Sequence, residues 1–172
     1  HIASNWQGGV IPTSCYDVVI NGSYTNAPII DHNTSNKVVV KSLTIGSSAT
    51  SVLTQRYATA ANYLHVRGDL VIGGSGTLTH EANGTSISHS VRVVVEGNMS
   101  ISTNGKVDAT SKGYLGSMST VGGGLGGGIQ STSVSWTGSG GTHAGKGGDG
   151  WNAFTSNKPY GDIDTPTTAG SA

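Results

Sequence analysis

Leu64–Thr79 reads LHVRGDLVIGGSGTLT and Val93–Asp108 reads VVVEGNMSISTNGKVD. A shift of 29 residues sets Val66 on Val95, Gly68 on Gly97, Asp69 on Asn98, Leu70 on Met99, Ile72 on Ile101, Gly76 on Gly105 and Leu78 on Val107. Every apolar position of one string meets an apolar position of the other. A repeat of this length marks a solenoid, because a unit of roughly 20 to 50 residues cannot bury its own apolar face and does so by stacking on its neighbours.

Within each string the apolar residues alternate, as in Val93-x-Val95 and Met99-x-Ile101, and the alternation breaks at Gly, Asn and Ser. Period two means strands with one buried face, and breaks after three to five residues mean corners. No window holds a helical period, and Gly68 and Gly97 would weaken a helix there. Earlier segments continue the pattern: VVVKSLTI at Val38–Ile45 lacks the corner glycine, and VVINGSY at Val18–Tyr24 keeps it as Gly22. Counted from Ile20, Val40, Val66 and Val95, the steps are 20, 26 and 29 residues.

The expected fold is an all-β, right-handed parallel β-helix of about four to five coils, with apolar ladders inside it. It forms one domain over residues 1–172: an N-terminal cap at 1–16, coils at 17–112, a glycine-rich lateral excursion at 113–160 and a return segment at 161–172. An antiparallel sandwich or jelly roll is the alternative, but it has no reason to repeat one string after 29 residues. Gly68 and Gly97 are expected at positive φ in sharp corners. Asp69 and Asn98 are expected to accept hydrogen bonds from turn amides. Lys41, Arg67 and Glu96 share one column, with Arg67 and Glu96 expected to pair between coils.

Only 10% of the 172 residues are charged, with nine basic residues balancing nine acidic ones, while Gly (28), Ser (23), Thr (20) and Asn (11) dominate. A nucleic-acid partner is not expected without a basic excess. Solvated disorder is not expected in a β-branched chain of low net charge. No apolar run is long enough to span a bilayer as a helix, so no membrane insertion is expected. The single Cys15 allows no intramolecular disulfide and reads as a small structural thiol. This composition, with His1 where Met would stand, fits a processed or excised secreted chain at the cell surface or outside the cell.

VGGGLGGGIQ at Val121–Gln130 and GKGGDGW at Gly145–Trp151 lie in a region, Gly113–Gly150, with 15 glycines in 38 residues. A phosphate-binding loop needs G-x-x-x-x-G-K-[ST] followed by a helix; Lys146 is followed by Gly147 and no helical pattern follows. GGDG at Gly147–Gly150 resembles a calcium-binding nonapeptide but occurs once, and such sites need repetition. Asp149, Asp162 and Asp164 thus read as turn formers, with a weak shared calcium site as the alternative. The histidines at 1, 32, 65, 80, 89 and 143 lack the spacing that places two imidazoles on one face. No serine elbow or Cys-His signature is present. No cofactor, metal or catalytic residue is expected.

Tyr114, Trp136, Trp151, Phe154 and Tyr160 are half of the chain's aromatics and lie in or just after the glycine-rich region. They read as anchors of that excursion or as a surface that stacks on sugar rings, and are the candidate partner-contact residues. N-x-[ST] sequons at Asn21, Asn33, Asn83 and Asn98 are about as frequent as 43 Ser and Thr make them by chance.

The order of these features resembles that of large secreted or surface-anchored prokaryotic proteins built on glycine-rich right-handed β-helices. The opening NWQGGVIPTSCYDVVI (Asn5–Ile20), the units at Leu64–Ile72 and Val93–Ile101, the excursion starting at Lys112-Gly113-Tyr114 and the return at Tyr160–Ser171 carry the resemblance. It implies an adhesive, matrix or scaffold role without catalysis. The partner is then a second copy, stacked head to tail into fibres, or a surface polysaccharide. A carbohydrate-binding or pectate-lyase-like module is the alternative, but the clustered carboxylates of such lyases are missing.

Overall fold

The computed structural model describes residues 6–22, 24, 26–33, 37–115, 124, 127 and 128. These hold eleven strands and no helix: β1 (Asp17–Ile20), β2 (Ile29–Asp31), β3 (Val38–Val40), β4 (Ser42–Ile45), β5 (Ser51–Arg56), β6 (Leu64–Val66), β7 (Leu70–Ile72), β8 (Gly76–His80), β9 (Val93–Val95), β10 (Met99–Ile101) and β11 (Lys106–Asp108). The chain divides into two compact units, His1–Glu81 with His89–Asp108, and Ala82–Ser88 with Ala109–Ala172. All the strands belong to the first.

Each strand pairs in parallel with the strand three places later, giving sheets ordered β1-β4-β7-β10, β2-β5-β8-β11 and β3-β6-β9. The chain thus winds as a β-solenoid of about three turns, β3–β5, β6–β8 and β9–β11, preceded by β1 and β2. The registers predicted from the repeat hold: Val40, Val66 and Val95 stack, as do Leu70 on Met99, Ile72 on Ile101 and Leu78 on Val107.

The first step of the repeat is different from the expectation. Ile20 stacks on Ile45 and Val18 on Leu43, so DVVI opens the sheet of β4 and not that of β3. The true column is Ile20, Ile45, Ile72 and Ile101, and Gly22 is no counterpart of Gly68. Short runs of valine and isoleucine fit either sheet, so alternation alone did not fix which one DVVI joins.

Alternation places one face of every strand inside. Val18, Ile20, Ile30, Val40, Leu43, Ile45, Leu53, Leu64, Val66, Leu70, Ile72 and Leu78 form one buried cluster. The corner glycines serve close approach more than positive φ, since Gly68 and Gly97 are absent from the positive-φ residues. A Cβ on Gly97 would lie 2.7 Å from the Gly68 carbonyl oxygen, because successive coils touch backbone to backbone at this corner. Positive φ falls at Gly46 (65°), where a Cβ would sit 2.3 Å from the Gly76 Cα of the coil above.

In the second unit Asn83 is the local organiser. Its Nδ2 donates to the Lys112 carbonyl at 2.8 Å and its Oδ1 accepts from the Ser88 amide at 2.7 Å, while the Leu115 amide donates to the Gly84 carbonyl at 2.9 Å.

Candidate functional site

Within the strands the backbone ladder follows one rule: residues whose side chains point inward are those whose peptide groups bond to the next coil. The amides of Leu64 and Leu70 donate forward to the carbonyls of Arg92 and Asn98, and the carbonyls of Val66 and Ile72 accept from the amides of Glu96 and Ser102. The earlier coil repeats this with Leu43 to Asp69 and Gly73 to Ile45. Alternation of the parallel ladder makes inward side chains and forward-pointing peptide groups coincide.

The last coil breaks the pattern of burial. Met99 stacks on Leu70 and Ile101 on Ile72, yet Met99 is 48% and Ile101 49% exposed where Leu70 and Ile72 are 0%. Val107 is 42% exposed above a fully buried Leu78. β9, β10 and β11 are the edge strands of the three sheets at the same end. By the ladder rule, the forward peptide groups of Val93, Val95, Met99, Ile101 and Val107 lie on that edge. Among the described residues the site is therefore a core cross-section whose edge strands pair with no further strand, the arrangement that recruits another strand.

The opposite end is furnished differently. Trp6, half-buried, packs against the core, and Trp6, Ile11 and Pro12 share a cavity of about 300 Å³ with the inward side chains of β1 and β3. The residues before β1 thus lie over that end, and the Lys41 amide donates to the Tyr16 carbonyl at 3.0 Å.

Polar columns tie coil to coil. Asp69 Oδ1 accepts from the Asn98 amide at 2.8 Å, as expected of a turn aspartate, though the amide belongs to the next coil. Asn21 Oδ1 accepts from the amides of Ser48 and Ala49, each at 2.9 Å. Arg56 Nη2 donates to Glu81 Oε1 at 2.8 Å, which raises the guanidinium above its ordinary value. Asp17 is held below its ordinary value by hydrogen bonds first from Lys41 (2.8 Å) and then from Ser42 (2.6 Å). Glu96, expected to meet Arg67, instead lies with Oε1 2.7 Å from His65 Nε2. His65 stands in the middle of β6, opposite Val94 in the register of β6 on β9.

Inside the coil, Ile30, Gln55 and His80 form one column. Gln55 is fully buried and clamps the peptide group of Arg92, accepting from its amide at 2.7 Å and donating to its carbonyl at 3.2 Å. The sequence signal for it is a polar residue at an inward position of LTQR. Cys15 is exposed.

Of the five aromatic candidates, Tyr114 is half-buried in the second unit, while Trp136, Trp151, Phe154 and Tyr160 lie outside the described residues. So do Asp149, Asp162, Asp164 and the glycine-rich stretch 129–150. Among the described residues no three His, Cys, Asp or Glu side chains gather as a metal group, and no helix is long and apolar enough to cross a membrane. Among the sequons, Asn83 and Asn21 use their side-chain amides in hydrogen bonds, and Asn98 Nδ2 lies 3.4 Å from Asp69 Oδ1. Asn33 is exposed, with its own amide donating to Asp31 Oδ1 at 3.0 Å. No family model, no curated protein and no solved structure matches the chain.

Proposed function

We propose that the chain is a structural or adhesive β-helix module of a secreted, cell-surface or extracellular-matrix protein, which associates end on through its last coil. The observation that carries this reading is the exposure of Met99, Ile101 and Val107 at the ends of columns that are otherwise buried. Apolar side chains and free strand edges together are costly to leave in water, and both are satisfied at once by another coil. A right-handed winding follows the strong preference of parallel crossover connections. A full count of four to five coils with a glycine-rich excursion at 113–160 belongs to the same reading. Low net charge favours such close contact, because there is little self-repulsion to overcome.

Sedimentation equilibrium over a wide concentration range tests the reading. Association that Met99→Asp with Ile101→Asp abolishes is the expected result. A chain that stays monomeric at every concentration overturns it.

A further inference from the structure

We propose that Asn104 is a site of spontaneous modification: its side chain closes on the Gly105 nitrogen and is converted, through a cyclic imide, to isoaspartate, while the same dipeptide at Asn21 and Asn83 is held back.

Three of the chain's eleven asparagines precede a glycine: Asn21-Gly22, Asn83-Gly84 and Asn104-Gly105. Such pairs are chemically reactive, because glycine puts no Cβ beside the nitrogen that attacks. Base takes the proton of the glycine amide, and the nitrogen bonds to the asparagine Cγ. The Cγ–Nδ2 bond breaks, and Nδ2 leaves as ammonia carrying that proton. Water then opens the ring. Opening at Cγ gives aspartate, whereas opening at the α-carbonyl leaves the main chain running through Cγ, one methylene longer.

The fold sorts the three pairs by what must be undone first. At Asn21, Nδ2 donates to Ser48 Oγ at 2.8 Å, Oδ1 accepts from the amides of Ser48 and Ala49, and the Gly22 amide donates to Ser51 Oγ at 3.1 Å. Asn83 is 9% exposed, with Nδ2 donating to the Lys112 carbonyl and Oδ1 accepting from the Ser88 amide. Neither carboxamide can turn its Cγ onto the following nitrogen without breaking several bonds at once.

Asn104 is held differently. It is exposed, and its carboxamide has no partner among the described residues. Its φ is 71°, a left-handed conformation that asparagine tolerates better than most side chains. The attacking group is engaged by the bond from the Gly105 amide to the Ser102 carbonyl, at 2.9 Å. Opening one turn bond at a strand corner is a small local fluctuation.

This turn joins β10 to β11, and its backbone runs close to the preceding coil: a Cβ on Gly105 would lie 2.6 Å from the Gly73 carbonyl oxygen. The extra methylene of isoaspartate therefore displaces β11 along β8, taking Lys106, Val107 and Asp108 out of register with Thr77, Leu78 and Thr79. Either product adds one negative charge to a chain in which nine acidic and nine basic residues balance. The corner thus ages in one direction, toward an acidic turn and a loosened last strand.

The experiment incubates the whole chain in mildly alkaline buffer, with a parallel sample unfolded in urea. Peptide mapping by mass spectrometry follows each pair with time, and enzymatic methylation marks isoaspartate. In the folded chain Asn104 is expected to convert roughly 10-fold or more faster than Asn21 and Asn83, since fewer hydrogen bonds must open. In urea the three rates are expected to converge. Asn104→Gly, which suits the positive φ, is expected to remove the early acidic species. Conversion of Asn21 or Asn83 as fast as Asn104 in the folded chain overturns the proposal. So does an Asn104 advantage that persists unchanged in urea, or a folded chain in which Asn104 stays intact while the unfolded chain reacts.

Discussion

Asp69 Oδ1 accepts the backbone amide of Asn98 across the gap between two coils, at 2.8 Å, while the Gly97 α-carbon slides past the same carboxylate closely enough that a Cβ would lie 2.6 Å from Oδ1. The glycine and the aspartate are thus one device: removing the side chain at 97 lets the carboxylate reach the next turn. Asp69→Ala is expected to lower stability by about 1 kcal/mol, the worth of one such hydrogen bond. Asp69→Asn keeps the acceptor and should recover most of the loss. Urea unfolding of the three proteins reads the order directly.

The glycines divide sharply by what surrounds them. Gly46 has φ of 65° and Gly76 has the Ile45 carbonyl oxygen where a Cβ would be, at 2.1 Å, whereas Gly84 and Gly113 face open space. Gly46→Ala and Gly76→Ala should each cost about 2–4 kcal/mol through overpacking and, at Gly46, a left-handed backbone. Gly84→Ala should stay within about 0.5 kcal/mol. Equal unfolding midpoints for the two groups would contradict the close coil contact.

Leu78 and Ile101 are both inward residues of the repeat, but among the described residues only Leu78 has a coil stacked on it. Leu78→Ala is expected to cost about 2–5 kcal/mol. At concentrations where the chain is monomeric, Ile101→Ala should cost less than about 1 kcal/mol, since half of its surface already meets water. A large loss at Ile101 in the monomer would mean that the last coil is covered.

Gln55 holds both polar groups of the Arg92 peptide inside the coil. Gln55→Leu removes the partner of the Arg92 amide, while the Arg92 carbonyl keeps its bond from the Leu64 amide, and should cost about 1–3 kcal/mol. Hydrogen exchange at the Arg92 amide should rise with it. Preserved protection there would show that another group takes over the clamp.

The Asp17 carboxyl is held below its ordinary value of 3.8 by Lys41 and Ser42. It binds fewer protons folded than unfolded, so its stabilisation is present above pH 3.8 and is lost as pH falls through the lower folded value. Lys41 is raised above 10.5, so its share is lost at the other extreme, as pH climbs past that value. Asp17→Asn should melt slightly below the parent at neutral pH, and the gap should close in strong acid and shrink in high salt. Thermal melts across pH in two buffers of different ionic strength check both. A gap that widens in acid reverses the assignment.

The repeat carried the fold in the sequence because solenoid coils make the same contact again and again, and an apolar column must be apolar at each level. Val66 over Val95 and Leu70 over Met99 were legible for that reason. The step from Ile20 was misplaced because DVVI and VVV share one pattern, and only hydrogen bonding distinguished the sheets. The expected Arg67–Glu96 pair depended on a shared column, but the Glu96 carboxylate was nearer to His65. Four of the five aromatic candidates lie outside the described residues.

By itself, then, the sequence determined an all-β parallel solenoid, its interior columns and the aspartate at the coil corner, since period and repeat are properties of the chain. Tertiary structure alone decided that Gly68 and Gly97 answer to crowding between coils, that Gln55 is a core clamp, and that Met99 and Ile101 are half exposed. Those depend on which backbone lies within a few ångströms of which side chain, and the identical pattern of an inner and an outer coil does not contain it.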